Sequence, residues 1–371
     1  MDADRTDRTD RTAGTDHGAR PPGTPVGGGP LPAGSDVPLA ERHDTALLDL
    51  DGVVYVGGAA VEHAVPSLLA AARGGMRLAY VTNNAARTPE VVAAHLAELG
   101  LPAVPGEVVT SAQAVARLVS EAVPPGARVL YAGAEGLRSA LAERGLVPVE
   151  SADEEPLAVV QGYGGPDLPW GRLVEASVAV GRGLPWFASN TDLTIPTPRG
   201  IGPGNGAAVE VVRIGSGGRR EPVVAGKPQP PMHRESVIRT GARTPLVVGD
   251  RLDTDIEGAH NGGVDSLLVL TGVTDAAALV AAEPRHRPTY VTADLRGLLA
   301  PIPAPVPVPA AEGGGYRCGG MRAVVDGGVA SLDGAGDPVD GLRALCGAVW
   351  ETAPDGRHAV DVREAVAALG L

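Results

Sequence analysis

The chain has 371 residues, 44% hydrophobic and 20% charged. These are ordinary globular proportions, which exclude a wholly disordered protein and leave room for two or three domains of about 150 residues each. Aromatic residues make up only 3%, with a single Phe, so the core must rest on Val, Leu and Ala. The net charge of −13 speaks against a nucleic-acid partner, whose footprint would be basic. No stretch approaches the roughly 18 consecutive apolar residues of a membrane span.

Residues 1–43 begin with three Asp-Arg-Thr triplets and continue into Gly and Pro, without the apolar run of a secretory signal. Such a segment buries too little to offset its ordering entropy, and a disordered leader is expected. With Cys318 and Cys346 read as reduced thiols, the expected compartment is the cytoplasm. From Thr45 the texture changes. Thr45 to Leu48, Leu78 to Val81, Pro245 to Val248 and Ser266 to Leu270 read as buried strands. Pro89 to Leu99 reads as a helix, with Thr88 before it and Gly100 after. Alternation of this kind predicts an α/β fold, a doubly wound parallel sheet.

The first part of this core spans 44–126 and the second 222–300. Between them, 127–221 alternates in the same way and is expected to form a separate α/β domain, inserted between the two parts. A proline-rich stretch over 301–315 reads as an extended spacer. Residues 316–371 then form a small module, expected as a hairpin near Ala323–Leu332 with helices at Leu342–Trp350 and Val362–Leu369.

Four polar runs follow apolar strands, where open parallel sheets bind their ligands. Asp49-Leu50-Asp51-Gly52 offers two acids one residue apart, one to attack or bind metal and one to handle a proton. Thr82-Asn83-Asn84 offers a hydroxyl and backbone N–H groups. Gly226-Lys227-Pro228 offers one ammonium, and the run from Gly249 adds two further acids five residues apart, Asp250 and Asp255. Hard oxygen ligands with few histidines point to Mg2+. A divalent cation, a lysine and hydroxyl donors together suit a phosphoryl group.

This ordered set resembles the haloacid dehalogenase superfamily of phosphohydrolases. The strings 49–57 and 249–256, with Leu270-Thr271-Gly272-Val273-Thr274, resemble its subclass IIA, the NagD-like, nitrophenyl-phosphatase and phosphoglycolate-phosphatase branch. The resemblance covers about residues 44–300, and the insert stands where that subclass carries a C2-type cap. It implies a Rossmann-like core and a small phosphorylated metabolite as substrate. Asp49 would be the nucleophile that forms an aspartyl-phosphate, and Asp51 the acid and base. Mg2+ would be held by Asp49, the Asp51 carbonyl and Asp250. Thr82 and the N–H of Asn83 would orient phosphoryl oxygens, Lys227 would neutralise charge, and Asp255 would act one step behind the ligands. A homodimer through the cap is also implied. Because Asp51 is an acid, the chain resembles the phosphatases rather than the members that cleave carbon–halogen bonds.

Residues 161–170 stand where the cap's substrate loop is expected, with Tyr163, Asp167 and Trp170 as specificity candidates and Asn205 as an alternative. The Gly202–Ala207 run fits G-x-G-x-x-A, but Pro196 and Pro198 argue against the strand a dinucleotide site requires. Two rival functions stay open on the residues: a phosphotransferase using the same intermediate, and a regulatory protein that keeps the fold without turnover.

Overall fold

A computed structural model describes residues 31–197, 199–356 and 360–371. The first core segment opens with a short helix α1 (Leu39–Arg42) and the strand β1 (Thr45–Leu48), which is buried at every position. A small hairpin follows, β2 (Tyr55–Val56) and β3 (Ala59–Ala60). Then come α2 (Ala64–Arg73), β4 (Arg77–Thr82), α3 (Pro89–Glu98), β5 (Val108–Thr110) and α4 (Ser111–Ala122). Pro89 starts α3 at the position where its missing N–H costs nothing. Thr110 and Gln113 close a capping box at the start of α4, each side chain bonding the other's backbone N–H.

The inserted domain contains β6 (Arg128–Ala132), α5 (Glu135–Glu143), β7 (Val147–Val149), β8 (Ala158–Gln161), α6 (Trp170–Gly181) and β9 (Trp186–Ala188). It continues through a hairpin, β10 (Thr194–Thr197) with β11 (Gly200–Pro203), to α7 (Asn205–Gly215) and β12 (Val223–Val224). Strand structure therefore does occur around Pro196. It is a two-stranded antiparallel ribbon, in which a proline is tolerated, and not the parallel strand that a dinucleotide fold would need.

The chain then returns to the core through α8 (Pro230–Thr240), β13 (Pro245–Gly249), a wide π turn (Leu252–Ile256), α9 (Glu257–Gly262), β14 (Asp265–Val269), α10 (Ala276–Val280) and β15 (Tyr290–Thr292). The core sheet is wholly parallel in the order β15-β14-β13-β1-β4-β5. Its order reverses between β1 and β13, so the switch point lies where Asp49 and Asp250 leave the sheet. The inserted sheet, β12-β9-β8-β6-β7, is also parallel. One apolar cluster joins the two domains, running from Leu47, Val81 and Val109 through α4 to Val129, Leu137 and Val160.

Three expectations change. The strand before Lys227 pairs with Phe187 and Ala188, so it belongs to the inserted sheet, and Lys227 reaches the site from the hinge. The part of the leader that lies in the described residues is ordered. Leu39 is fully buried, Ala33 N–H donates to Thr289 O, and Ser35 bridges Ile302. A few apolar side chains with a strand edge to bond are enough to fix it, and residues 1–30 lie outside the described residues. Finally, the proline-rich stretch is no free spacer. Ile302 is buried, and β16 (Val306–Pro307) pairs with the module.

The module itself follows the expected order: β17 (Tyr316–Cys318), β18 (Met321–Asp326), β19 (Val329–Gly334), α11 (Pro338–Thr352) and α12 (Arg363–Leu369). Its apolar face shares one cluster with Ile256, Leu268, Leu279 and Val291 of the core. No helix among the described residues is long and apolar enough to cross a membrane.

Candidate active site

Asp49 stands just past the fully buried β1, its N–H donating to Val248 O at 2.8 Å and so held between the two central strands. Lys227 Nζ reaches it and bonds Asp49 Oδ1. The same ammonium donates to Asp255 Oδ1 at 2.8 Å and Val81 O at 3.2 Å. One lysine thus spans Asp49, Asp255 and the end of β4. Asp255 Oδ2 in turn accepts the N–H of Arg251 at 3.2 Å.

Asp250 is fully buried. Its Oδ2 accepts Val273 N–H at 2.7 Å, while Oδ1 has no hydrogen-bond partner. Gly52 (φ 87°) and Gly272 press their backbones against this carboxylate, where a Cβ on either would collide with it. Asp49, Asp250 and Asp255 each place an oxygen within 4.8 Å of the others. Three carboxylates around one ammonium leave about two negative charges in a buried place, a heavy cost without a cation. The donors are all oxygen, and one is buried and unpaired, so the residues fit Mg2+.

The electrostatics agree. Burial pushes the Asp49 carboxyl well above the ordinary range; Lys227 opposes this, and Asp255 and Asp250 add to it. Burial, with Asp255 beside it, raises Asp250 to about 6. For Lys227, burial pulls downward, but Asp255 and Asp49 outweigh it and the net shift is upward. Asp51 is different in kind: the residue is exposed, yet the surrounding protein desolvates its carboxyl and raises it, against Lys227, Arg87 and His95. A carboxyl that keeps its proton more readily and is open to solvent suits proton transfer to a leaving group.

Thr82 is buried with its Oγ1 accepting Asn84 N–H at 3.1 Å. Asn83 does more than the sequence indicated. Its side chain brackets Lys227, accepting that residue's N–H at 2.8 Å and donating to its carbonyl at 3.1 Å. Its own carbonyl accepts Ser111 Oγ at 2.5 Å and Asn190 Nδ2 at 2.7 Å, and its Nδ2 donates to Asp192 at 3.3 Å. Ser111, Asn190 and Asp192 were missed. A signal existed for two of them, since Asn190-Thr191-Asp192 follows an apolar strand just as Thr82-Asn83-Asn84 does.

The specificity candidates are not gathered in the same way. Among the described residues, Tyr163, Asp167 and Trp170 have no hydrogen bond or ion pair to Asp49, Asp51 or Lys227. Trp170 is 66% exposed at the start of α6. The root of their loop does touch the core, because a Cβ on Gly162 would lie 3.0 Å from that of Ala85. Asn205 is 2% exposed, with Nδ2 donating to Asn190 O at 2.7 Å and Oδ1 without a hydrogen-bond partner, so it braces the segment that carries Asn190.

Comparison with known proteins bears on this geometry. Residues 46–147 match the model of the haloacid dehalogenase-like hydrolases, and 224–298 that of the HAD-hydrolase-like family. Residues 318–371 match a GCN5-related N-acetyltransferase like domain. A D-glycerol 3-phosphate phosphatase of Mycobacterium tuberculosis is 45% identical over 318 residues, 84% of this chain and 87% of that protein. An acid sugar phosphatase of Staphylococcus aureus is 36% identical over 264 residues, 71% of this chain and 99% of that one. The crystal structure of a glycerol phosphate phosphatase from M. tuberculosis in complex with magnesium superposes with a TM-score of 0.76 at 44% identity, covering 85% of this chain and 92% of the other.

Proposed function

As a member of the haloacid dehalogenase-like hydrolases, in the subclass IIA phosphatase branch, the chain hydrolyses small phosphomonoesters with Mg2+, and we propose that glycerol 3-phosphate is a substrate and Asp49 the nucleophile. The observation that carries the assignment of roles is the Asp49–Lys227 pair set beside the unpartnered Asp250 Oδ1.

The Asp49 carboxylate, the Asp51 carbonyl and Asp250 would hold Mg2+, which would supply positive charge to offset that of the phosphoryl oxygens. Asp49 attacks phosphorus and the ester P–O bond breaks, leaving an aspartyl-phosphate. Two easier displacements thus replace one hard one. Asp51 gives its proton to the leaving oxygen, then takes one from the water that cleaves the aspartyl-phosphate. Thr82 and the N–H of Asn83 orient the phosphoryl oxygens, and Lys227, held by Asn83 and Asp255, offsets the charge that develops there. Loop 161–170, through Tyr163, Asp167 and Trp170, meets the alcohol portion.

The glycerol assignment rests on the 45% identical relative. Its test is a comparison of kcat/KM for glycerol 3-phosphate with sugar phosphates, nucleotides and phosphoglycolate; a weak glycerol ester among strong rivals would refute it. Phosphate release measured with and without added glycerol separates hydrolysis from transfer. The same reading places the enzyme in the cytoplasm, supported by two buried free thiols, Cys318 and Cys346. It also seats a second copy on the exposed α6 face of Val174 and Val178, which light scattering checks.

A further inference from the structure

We propose that the C-terminal module positions the cation-binding side of the active site, acting through α10 on Asp250. The inference rests on the reading of Asp250 as a Mg2+ ligand. Residues 271–274 join β14 to α10 and make up one wall of the site. Val273 N–H fixes Asp250 Oδ2 at 2.7 Å, Thr274 N–H bonds the Asp250 carbonyl at 3.2 Å, and Thr271 Oγ1 donates to Gly52 O at 2.6 Å. This wall therefore holds the strand end that carries Asp250 and also the turn that follows Asp49 and Asp51. With Oδ2 taken, the buried Oδ1 is the oxygen left to offer.

The wall leads directly into α10, five residues capped by Asp275, whose Oδ1 accepts Ala278 N–H at 2.7 Å. A helix of that length does not hold itself and takes its place from packing. That packing is supplied by the module. Ala276, Leu279 and Val280 are buried in one cluster with Leu342, Leu345, Val349, Trp350 and Leu369, and Leu252 and Leu270 lie against it.

Polar ties fix the register. Trp350 Nε1 donates to Val280 O at 3.0 Å, and buried Arg343 donates to Val291 O at 2.6 and 3.0 Å. Arg287 bonds Ala282 O and Ala353 O, with its guanidinium 5.0 Å from the centre of the Trp350 ring. Packing thus links Trp350 to α10, and the backbone N–H groups of Val273 and Thr274 carry the link on to Asp250, while the Val273 side chain itself is exposed. Trp350 is a positioning residue and touches nothing that reacts.

The test uses the full chain with Trp350→Phe, which keeps most of the packing and loses the bond to Val280, and Trp350→Leu, which also loses the arginine stack. Mg2+ binding is read by calorimetry and by the rise in Tm that Mg2+ produces, alongside turnover against Mg2+ concentration. The Kd for Mg2+ should rise about three- to tenfold, more for Leu than for Phe. Turnover at saturating Mg2+ should stay within about twofold of the parent. Leu141→Ala, in a buried cap position, supplies a matched loss of Tm and should leave the Mg2+ Kd alone. An unchanged Kd in both Trp350 variants, or an equal rise in Leu141→Ala, overturns the proposal. A parent enzyme that binds no Mg2+ overturns the metal reading beneath it, and the two failures are distinguishable. If Trp350→Leu does not fold, the Phe variant alone decides.

Discussion

The two ends of the core sheet treat the same side chain in opposite ways. At the amino end, Asp44 is surrounded by donors: Arg243 N–H at 2.9 Å, Thr244 N–H at 3.3 Å and Arg77 Nη2 at 3.4 Å. Partial burial works against its charge, but these bonds outweigh it and its carboxyl falls below the ordinary range. At the carboxyl end, Asp250 has one oxygen bonded and one bare, two acids for neighbours, and a carboxyl raised to about 6. A carboxylate supplied with donors fastens the fold. One denied them, beside others like it, is set up to receive a cation.

The largest effect that would break this contrast is at the carboxyl end. Asp49→Asn should lower kcat by at least about 10^4-fold, because an amide forms no acyl-phosphate and its loss removes a group that acts as part of a unit. Single-turnover assays that found near-parent activity would end the covalent scheme. Chelation with EDTA should silence the parent, with Mg2+ restoring it. Asp51→Asn should cost about 10^2–10^4-fold, the usual worth of a positioned acid and base, while leaving Mg2+ binding in place, since only its carbonyl is assigned to the ion. Calorimetry showing a large loss of Mg2+ affinity in Asp51→Asn would move that side chain to the metal.

The carboxyl-end acids were legible in the residues, Asp44 at the amino end was not, and the limit was physical. Asp49 and Asp250 follow apolar strands of one parallel sheet, whose ends converge whatever the loops do. What the one-dimensional pattern lacked was sheet identity. Pro222 to Ala225 reads as a strand, yet nothing in two valines says that they pair with Phe187 and Ala188 of the cap and not with the core. Asn190 and Asp192 escaped for a related reason, since their importance lies in bonds to Asn83 more than 100 residues away. The proline-rich stretch misled differently: composition sets intrinsic stiffness, but Ile302 and Val308 are buried by tertiary packing, which composition does not report. Asn205 illustrates the same limit, because a polar residue in a glycine-rich run reads as a loop until its burial is known.

His43 supplies the next test, again from the amino end. It is 6% exposed, neither ring nitrogen makes a well-formed hydrogen bond, and Tyr290 meets the ring edge-on. Burial, with Arg42 nearby, lowers its pKa from 6.5 to about 4, although the Thr244 backbone and Asp44 pull the other way and Asp265 Oδ2 lies 3.8 Å from Nε2. Between those two values the unfolded chain binds a proton that the folded chain refuses. Stability should therefore fall as pH drops through that window, by about 3 kcal/mol in all. His43→Phe should flatten this part of the profile, as followed by urea unfolding at pH 7, 5.5 and 4. A parallel decline in parent and variant would assign the acid sensitivity elsewhere.

The smallest effect sharpens the comparison most. Asp44→Asn keeps the shape of the residue that fastens the amino end, but an amide offers one acceptor oxygen where the carboxylate offers two. One of the two backbone donors, Arg243 or Thr244, then faces an N–H2 group, and Arg77 loses an opposite charge while keeping its bond to Thr240 O at 2.6 Å. Because Arg77 is half exposed, the lost ion pair counts for little, and the total should be about 1 kcal/mol of stability at neutral pH. The sign follows from the lowered carboxyl: its contribution is present above the ordinary carboxylate value and fades as pH falls through the folded one, so parent and variant should converge in acid. Neither kcat nor the Kd for Mg2+ should move, since β1 lies between the two ends and stays buried throughout. A variant that lost 1 kcal/mol and also a large share of its turnover would mean that β1 passes strain from Asp44 to Asp49, and the two ends would then be one device.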